Sequence, residues 1–213
     1  PFVYEDFHLF EHKILYYETS RGCPFCCSYC LSSVDKTVRF RSLPIVKKEL
    51  DAFLEAKVPQ VKFVDRTFNC NRQRAIDIWS YLVEHDNGIT NFHFEISSDL
   101  LGEEELELFA KMRPGLIQLE IGVQSTNGET VDAIHRHMDL DKLFHYVDRV
   151  HELGNIHQHL DLIAGLPYEN YERFGCSFDD LYAHEPDQLQ LGFLKVLKGT
   201  MMEEEVKKYS ILY

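Results

Sequence analysis

The 213-residue sequence predicts an α/β fold, a partial (β/α)6 barrel of TIM-like type with parallel strands. Three observations predict it. Strand-like and helix-like segments alternate six times with short links, which calls for a parallel sheet with right-handed crossovers. Four strand-like segments alternate apolar with polar residues, whereas parallel strands buried on both faces read as continuous apolar runs. The polar residues recur on one face, yet a closed barrel fills its interior with branched apolar side chains. An open barrel with a polar concave side satisfies all three. The plainer alternative is a one-sided sheet facing water.

The elements follow in order. "HKILYYET" reads as the first strand, and a cysteine-rich loop comes next. Residues 44–57 set Val46, Leu50, Phe53 and Leu54 at helical spacing. "QVKFVD" is the second strand, and residues 71–84 put Ile76, Trp79 and Leu82 or Val83 on one helix face. In "NFHFEIS", the third strand, Phe92, Phe94 and Ile96 alternate with His93 and Glu95. A short helix over 103–112 begins with three acids, which suit its positive end. "LIQLEIGVQ" is the fourth strand, where Leu119, Ile121 and Val123 alternate with Gln118, Glu120, Gly122 and Gln124. A helical region over 128–153 is closed by Gly154. "IHQHLDLIAG" is the fifth strand, with Leu160 and Leu162 against His157, His159 and Asp161. A helix over 171–183, the sixth strand "QLQLGFLKV" and a last helix from Met201 complete the chain.

The whole reads as a single domain: a lead-in over 1–13, a core over 14–200, and the start of an extension over 201–213. The abrupt ends lead us to expect a longer protein with further domains. Lys and Arg number 22 against 35 Asp and Glu, a net charge of −13. That balance argues against non-specific binding to nucleic acid or anionic membrane. The basic stretch Lys36, Arg39, Arg41, Lys47 and Lys48 reads as a solvated face. The sequence holds no bilayer-length apolar run and no secretory leader pattern, so a cytoplasmic location and no membrane partner are expected.

The chemistry concentrates in "RGCPFCCSYC", which packs Cys23, Cys26, Cys27 and Cys30 into eight positions. A disulfide framework is a poor reading, because the chain is large and crowded neighbours pair badly. The loop follows the first strand, at the end where β/α folds hold ligands. Two registers are open: Cys23, Cys27 and Cys30, or Cys23, Cys26 and Cys30. Structural zinc wants four ligands, and adjacent Cys26 and Cys27 point apart. Three thiolates suit a [4Fe–4S] cluster with one iron left open. A rival metal chemistry rests on His157 and His159, since a His-x-His pair on a barrel strand can hold the divalent ion of a hydrolase.

The spacing Cys23-x3-Cys27-x2-Cys30, with Tyr29 before the last cysteine, resembles the radical S-adenosylmethionine (SAM) superfamily over roughly residues 14–200. The nearest branch holds oxygen-independent coproporphyrinogen oxidases, methylthiotransferases and cobalamin-binding radical enzymes. The resemblance implies a [4Fe–4S] cluster on Cys23, Cys27 and Cys30, with Cys26 a bystander. It implies reductive cleavage of SAM to a 5′-deoxyadenosyl radical, used for methyl transfer, methylthiolation or rearrangement of a substrate the sequence does not specify. A reductant such as flavodoxin or ferredoxin is an implied partner, and cobalamin would come through a domain before residue 1. "FHFEISSD" implies a SAM contact by Glu95, "IGVQS" by Gln124, and "AIHRHMD" by Arg136. "LDLIAGLP" implies Asp161 at the ribose and the Gly165 backbone near adenine, and Tyr29 joins the cofactor set. Where many members carry Gly-Gly-Glu, this chain has "VDRTFN", so Asp65 is the substitute acid. A non-catalytic iron–sulfur module is the third class to separate from these.

Overall fold

The computed structural model describes residues 6, 7, 9, 11–35 and 37–212. Most of the expected lead-in, and Lys36, lie outside the described residues. Six parallel strands form one sheet in sequence order: β1 (Ile14–Tyr17), β4 (Gln60–Phe63), β5 (Asn91–Ile96), β6 (Ile117–Gln124), β7 (His157–Ala164) and β8 (Gln188–Phe193). Helices α1 (Leu43–Glu55), α2 (Arg72–Glu84), α3 (Glu103–Phe109), α4 (Gly128–Ala133), α5 (Leu140–Leu153) and α6 (Tyr171–Tyr182) provide the crossovers, and α7 (Met201–Glu205) follows β8. A two-stranded antiparallel ribbon, β2 (Ser20–Arg21) with β3 (Arg39–Phe40), frames the cysteine loop. The partial (β/α)6 barrel is therefore what the alternation specifies.

Period-two patterning decides the two faces. Val61, Phe63, Phe92, Phe94, Leu119, Ile121, Val123, Leu160 and Leu162 are almost wholly buried beneath the helices. Phe63, Phe68, Trp79 and Phe94 form an aromatic nucleus there, with Phe63 and Phe94 centroids 4.4 Å apart. The opposite face carries the polar residues, and register stacks them in rows. Lys62, His93, Gln118 and His157 share the deepest row, and Glu95, Glu120, His159 and Gln188 share the next. Gly122, Asp161 and Gln190 form the row nearest the strand ends.

Local chemistry sets the element ends. Asn71, Asp139 and Asn170 cap α2, α5 and α6 by accepting from backbone N–H groups of the first turn. Gly154 ends α5 in the left-handed conformation at φ 67°, as expected. The helical region over 128–153 divides in two. His135 adopts φ 53°, which helix cannot continue, and Asp139 starts α5 afresh. The short helix from Glu103 also ends earlier, at Phe109. On β8 the alternation persists without cover: Leu191 is half exposed and Phe193 largely so. Of the basic stretch, Arg39 pairs with Asp35 and Arg41 with Glu49. Among the described residues no helix is long and apolar enough to cross a membrane.

Candidate functional site

The cysteine loop leaves β2 through Gly22, at φ +99°. A Cβ there would lie 2.3 Å from the Thr37 carbonyl oxygen, so the ribbon closes only over glycine. Ser28 anchors the loop twice. Its N–H donates to the Ile134 carbonyl at 2.8 Å, and its carbonyl accepts from Met202 N–H at 2.8 Å. The loop thus lies across the strand ends, and Cys23, Cys27, Tyr29 and Cys30 face a cavity of about 200 Å³.

The opposite wall is the polar sheet face: Glu95, Glu120, Gly122, Gln124 and Asp161 line the same cavity. Arg66 and Thr67, just past β4, close one side, and Arg136 and His137 the other. Arg136 sits in the break between α4 and α5 and touches both walls. Its Nη1 is 3.4 Å from Tyr29 Oη and 3.8 Å from Cys27 Sγ, while Nη2 donates to the Gly122 carbonyl. Burial pushes the Cys27 thiol up, and the Arg136 charge opposes that shift. At the bulge between β6 and β7, Gln124 takes φ 73° and folds its side chain back over Gly122. Its Oε1 is buried with no hydrogen-bond partner.

The wall's carboxylates titrate apart. Burial, then the neighbouring Glu120 charge, push Glu95 up to about 6, with Arg66 and Lys62 opposing. Contact with His93 and, against burial, with Lys62 holds Glu120 down at about 2. Both partners lie 2.7 Å from the same Glu120 oxygen.

Eight of the residues singled out from sequence therefore meet at one cavity: Cys23, Cys27, Tyr29, Cys30, Glu95, Gln124, Arg136 and Asp161. Five others do not, among them the His157 and His159 pair, which the cavity lining does not include. Cys26 turns away, its Sγ 3.9 Å from the His135 carbonyl. Asp65 is 1% exposed and its carboxylate accepts from Thr19 N–H, Thr19 Oγ1 and Ser20 N–H, so it staples the end of β1 rather than facing the cavity. Gly165 lines an adjoining cleft with Tyr168, Arg173 and Tyr209. Sequence reasoning left Glu120 and Thr67 out of the site. Glu120 was detectable from its place on the polar period, but Thr67 carried no signal. Its Oγ1 is 3.7 Å from Cys23 Sγ.

The donor set fits a cluster better than a single ion. One tetrahedral metal draws thiolates to about 3.8 Å from each other, given metal–sulfur bonds of about 2.3 Å. The sulfurs of Cys23, Cys27 and Cys30 do not all lie within 4.8 Å of one another. No disulfide joins any of the six cysteines. A polar partial barrel with three thiols at its rim defines an iron–sulfur β/α enzyme as the class.

The comparisons supply the family. Residues 17–181 match the radical SAM superfamily, and the chain belongs to it. Membership implies a [4Fe–4S] cluster and SAM as cofactors, and an enzyme. An uncharacterized methyltransferase of Pyrococcus horikoshii is 26% identical over 189 residues, 87% of this chain and 40% of that protein. The oxygen-independent coproporphyrinogen III oxidase of Salmonella typhimurium is 31% identical over 107 residues, 47% of this chain and 23% of that one. Among solved structures, the radical SAM methyltransferase TsrM of Kitasatospora setae, with cobalamin and [4Fe–4S] cluster bound, superposes with TM-score 0.81 at 18% identity, covering 92% of this chain and 39% of that one. The Escherichia coli coproporphyrinogen III oxidase gives 0.62 at 17%, covering 92% and 52%. The chain spans less than half the length of the curated relatives it matches.

Proposed function

We propose that this chain is the radical SAM domain of a methyl-transferring enzyme. The observation that carries the reading is the meeting of Cys23, Cys27 and Cys30 with a polar sheet face across one cavity. These three thiolates would hold the [4Fe–4S] cluster, with Cys26 outside the ligand set. When bound, the cluster supplies the electron that breaks a sulfonium bond of SAM.

The chain's own residues bind and orient. Glu95 and Asp161 offer negative charge to the sulfonium and ammonium groups of SAM, in a recess where charge attraction is less screened than in water. Gln124 Oε1, buried and unpartnered, accepts from an N–H or O–H of the ligand. Arg136 balances thiolate charge beside Cys27, and its reach to Gly122 fixes the loop over the sheet. Tyr29, half-buried at the cavity beside Cys27 and Cys30, keeps water from the thiol side. Methyl transfer as the outcome draws on the Pyrococcus relative, which aligns along most of this chain. Cobalamin, bound by a further domain, draws on the likeness to TsrM. The substrate's class stays outside this reading.

The test is anaerobic reconstitution with iron and sulfide, followed by electron paramagnetic resonance of the reduced protein with and without SAM. SAM should shift the cluster signal, and reductant should consume SAM; Cys27→Ala should abolish both. S-adenosylhomocysteine should accumulate when cobalamin is supplied to the whole protein. A cluster signal indifferent to SAM sinks the proposal.

A further inference from the structure

We propose that Glu120, His159 and Asp161 form a binding site for a divalent first-row metal ion on the polar sheet face, where Glu120 and Asp161 line the cavity and His159 is buried beside them, separate from the cysteine loop. The site needs neither the cluster nor SAM, although it shares Asp161 with the reading above, so it is assigned to the SAM-free chain.

Geometry carries the inference. Glu120 on β6 and His159 on β7 are register partners, and Asp161 lies two residues on, on the same face. One donor atom from each falls within 4.8 Å of the other two, the one such group of His, Cys, Asp or Glu among the described residues. His159 is 6% exposed, and its Nε2 lies 2.9 Å from Asp161 Oδ1. Both atoms are buried and without a hydrogen-bond partner. Two buried polar atoms side by side without a hydrogen bond call for an explanation, and an ion bound by both supplies one.

Glu120 completes the set. Lys62 Nζ and His93 Nε2 both approach Oε2, so Oε1 is the oxygen they leave to a further partner, and Glu120 lines the cavity. Groups that hold a carboxylate from behind are what orients a metal ligand. One imidazole and two carboxylates suit Mn²⁺, Fe²⁺ or Zn²⁺, whereas softer ions would go to the thiols. Three protein donors leave positions open toward the cavity, where a ligand oxygen can bind. His157, the other half of the His-x-His pair, belongs to the deeper row beside Gln118 and takes no part.

Mn²⁺ titration of the full chain, followed by paramagnetic resonance, tests the proposal. One ion should bind per chain. His159→Ala and Asp161→Asn should each weaken binding at least tenfold, and Cys23→Ala/Cys27→Ala/Cys30→Ala should leave it within twofold. Pulsed measurements on the wild type should show coupling to one imidazole nitrogen, which needs no variant to fold. Absence of that coupling, of stoichiometric binding, or of any effect of His159→Ala overturns the site. Loss of binding in the triple cysteine variant does so too, by assigning the ion to the loop.

Discussion

Glu95→Gln should stabilise the folded chain while weakening its hold on SAM. Glu95 rises from an ordinary 4.5 to about 6, because burial and the Glu120 charge disfavour its ionised form. The folded state therefore binds more protons than the unfolded chain between those values, and stability falls as pH rises through that window. A difference of about 1.5 units corresponds to about 2 kcal/mol, carried in full at pH 7 and absent at pH 4. Among the described residues the Glu95 side chain makes no hydrogen bond that glutamine would forfeit. Urea unfolding of the cluster-free chain should show the variant more stable by about 2 kcal/mol at pH 7 and equal to wild type at pH 4. Equilibrium dialysis of the reconstituted protein should show SAM binding weakened by about tenfold, the effect of losing about 1.4 kcal/mol of charge attraction. A variant less stable than wild type at pH 7, or one whose gain is the same at both pH values, would refute the reasoning.

Other substitutions separate scaffold from site. Asp65→Ala should cost about 2–4 kcal/mol in urea melts, because three buried donors at Thr19 and Ser20 lose their acceptor. SAM affinity of the remaining folded protein should stay within twofold; unchanged stability with lost affinity would restore Asp65 to the cofactor set. Gly22→Ala should cost at least about 1–3 kcal/mol and lower iron content, as its Cβ meets the Thr37 carbonyl at a left-handed backbone position. Iron and sulfide analysis should find Cys26→Ala equal to wild type, whereas Cys30→Ala should lose the cluster.

The fold was legible because a parallel sheet with one polar face writes both its layers into a period of two. Phe92, Phe94 and Ile96 could only face helices, and His93 and Glu95 could only face the concave side. The thiols were legible because their spacing is short-range. What escaped depends on contacts between distant segments. Asp65 looks like a ligand acid until Thr19 and Ser20, some 45 positions earlier, are seen to consume it. The break at Ile134–Asp139 is hidden within helix-forming residues, and the positive φ of His135 follows from the loop it must meet. The uncovered face of β8 keeps its alternation, so its exposure has no mark in the sequence.

Ser28 gives the chain an unexpected kind of wiring. A single residue is riveted through its N–H to the segment carrying Arg136 and through its carbonyl to the first turn of α7. A displacement of the residues after β8, by a neighbouring domain or a bound guest, has a direct route to the cysteine loop through the Ser28 carbonyl. A shortened version stopping at residue 200 would pull out that rivet, and the first thing to loosen would be the grip on iron.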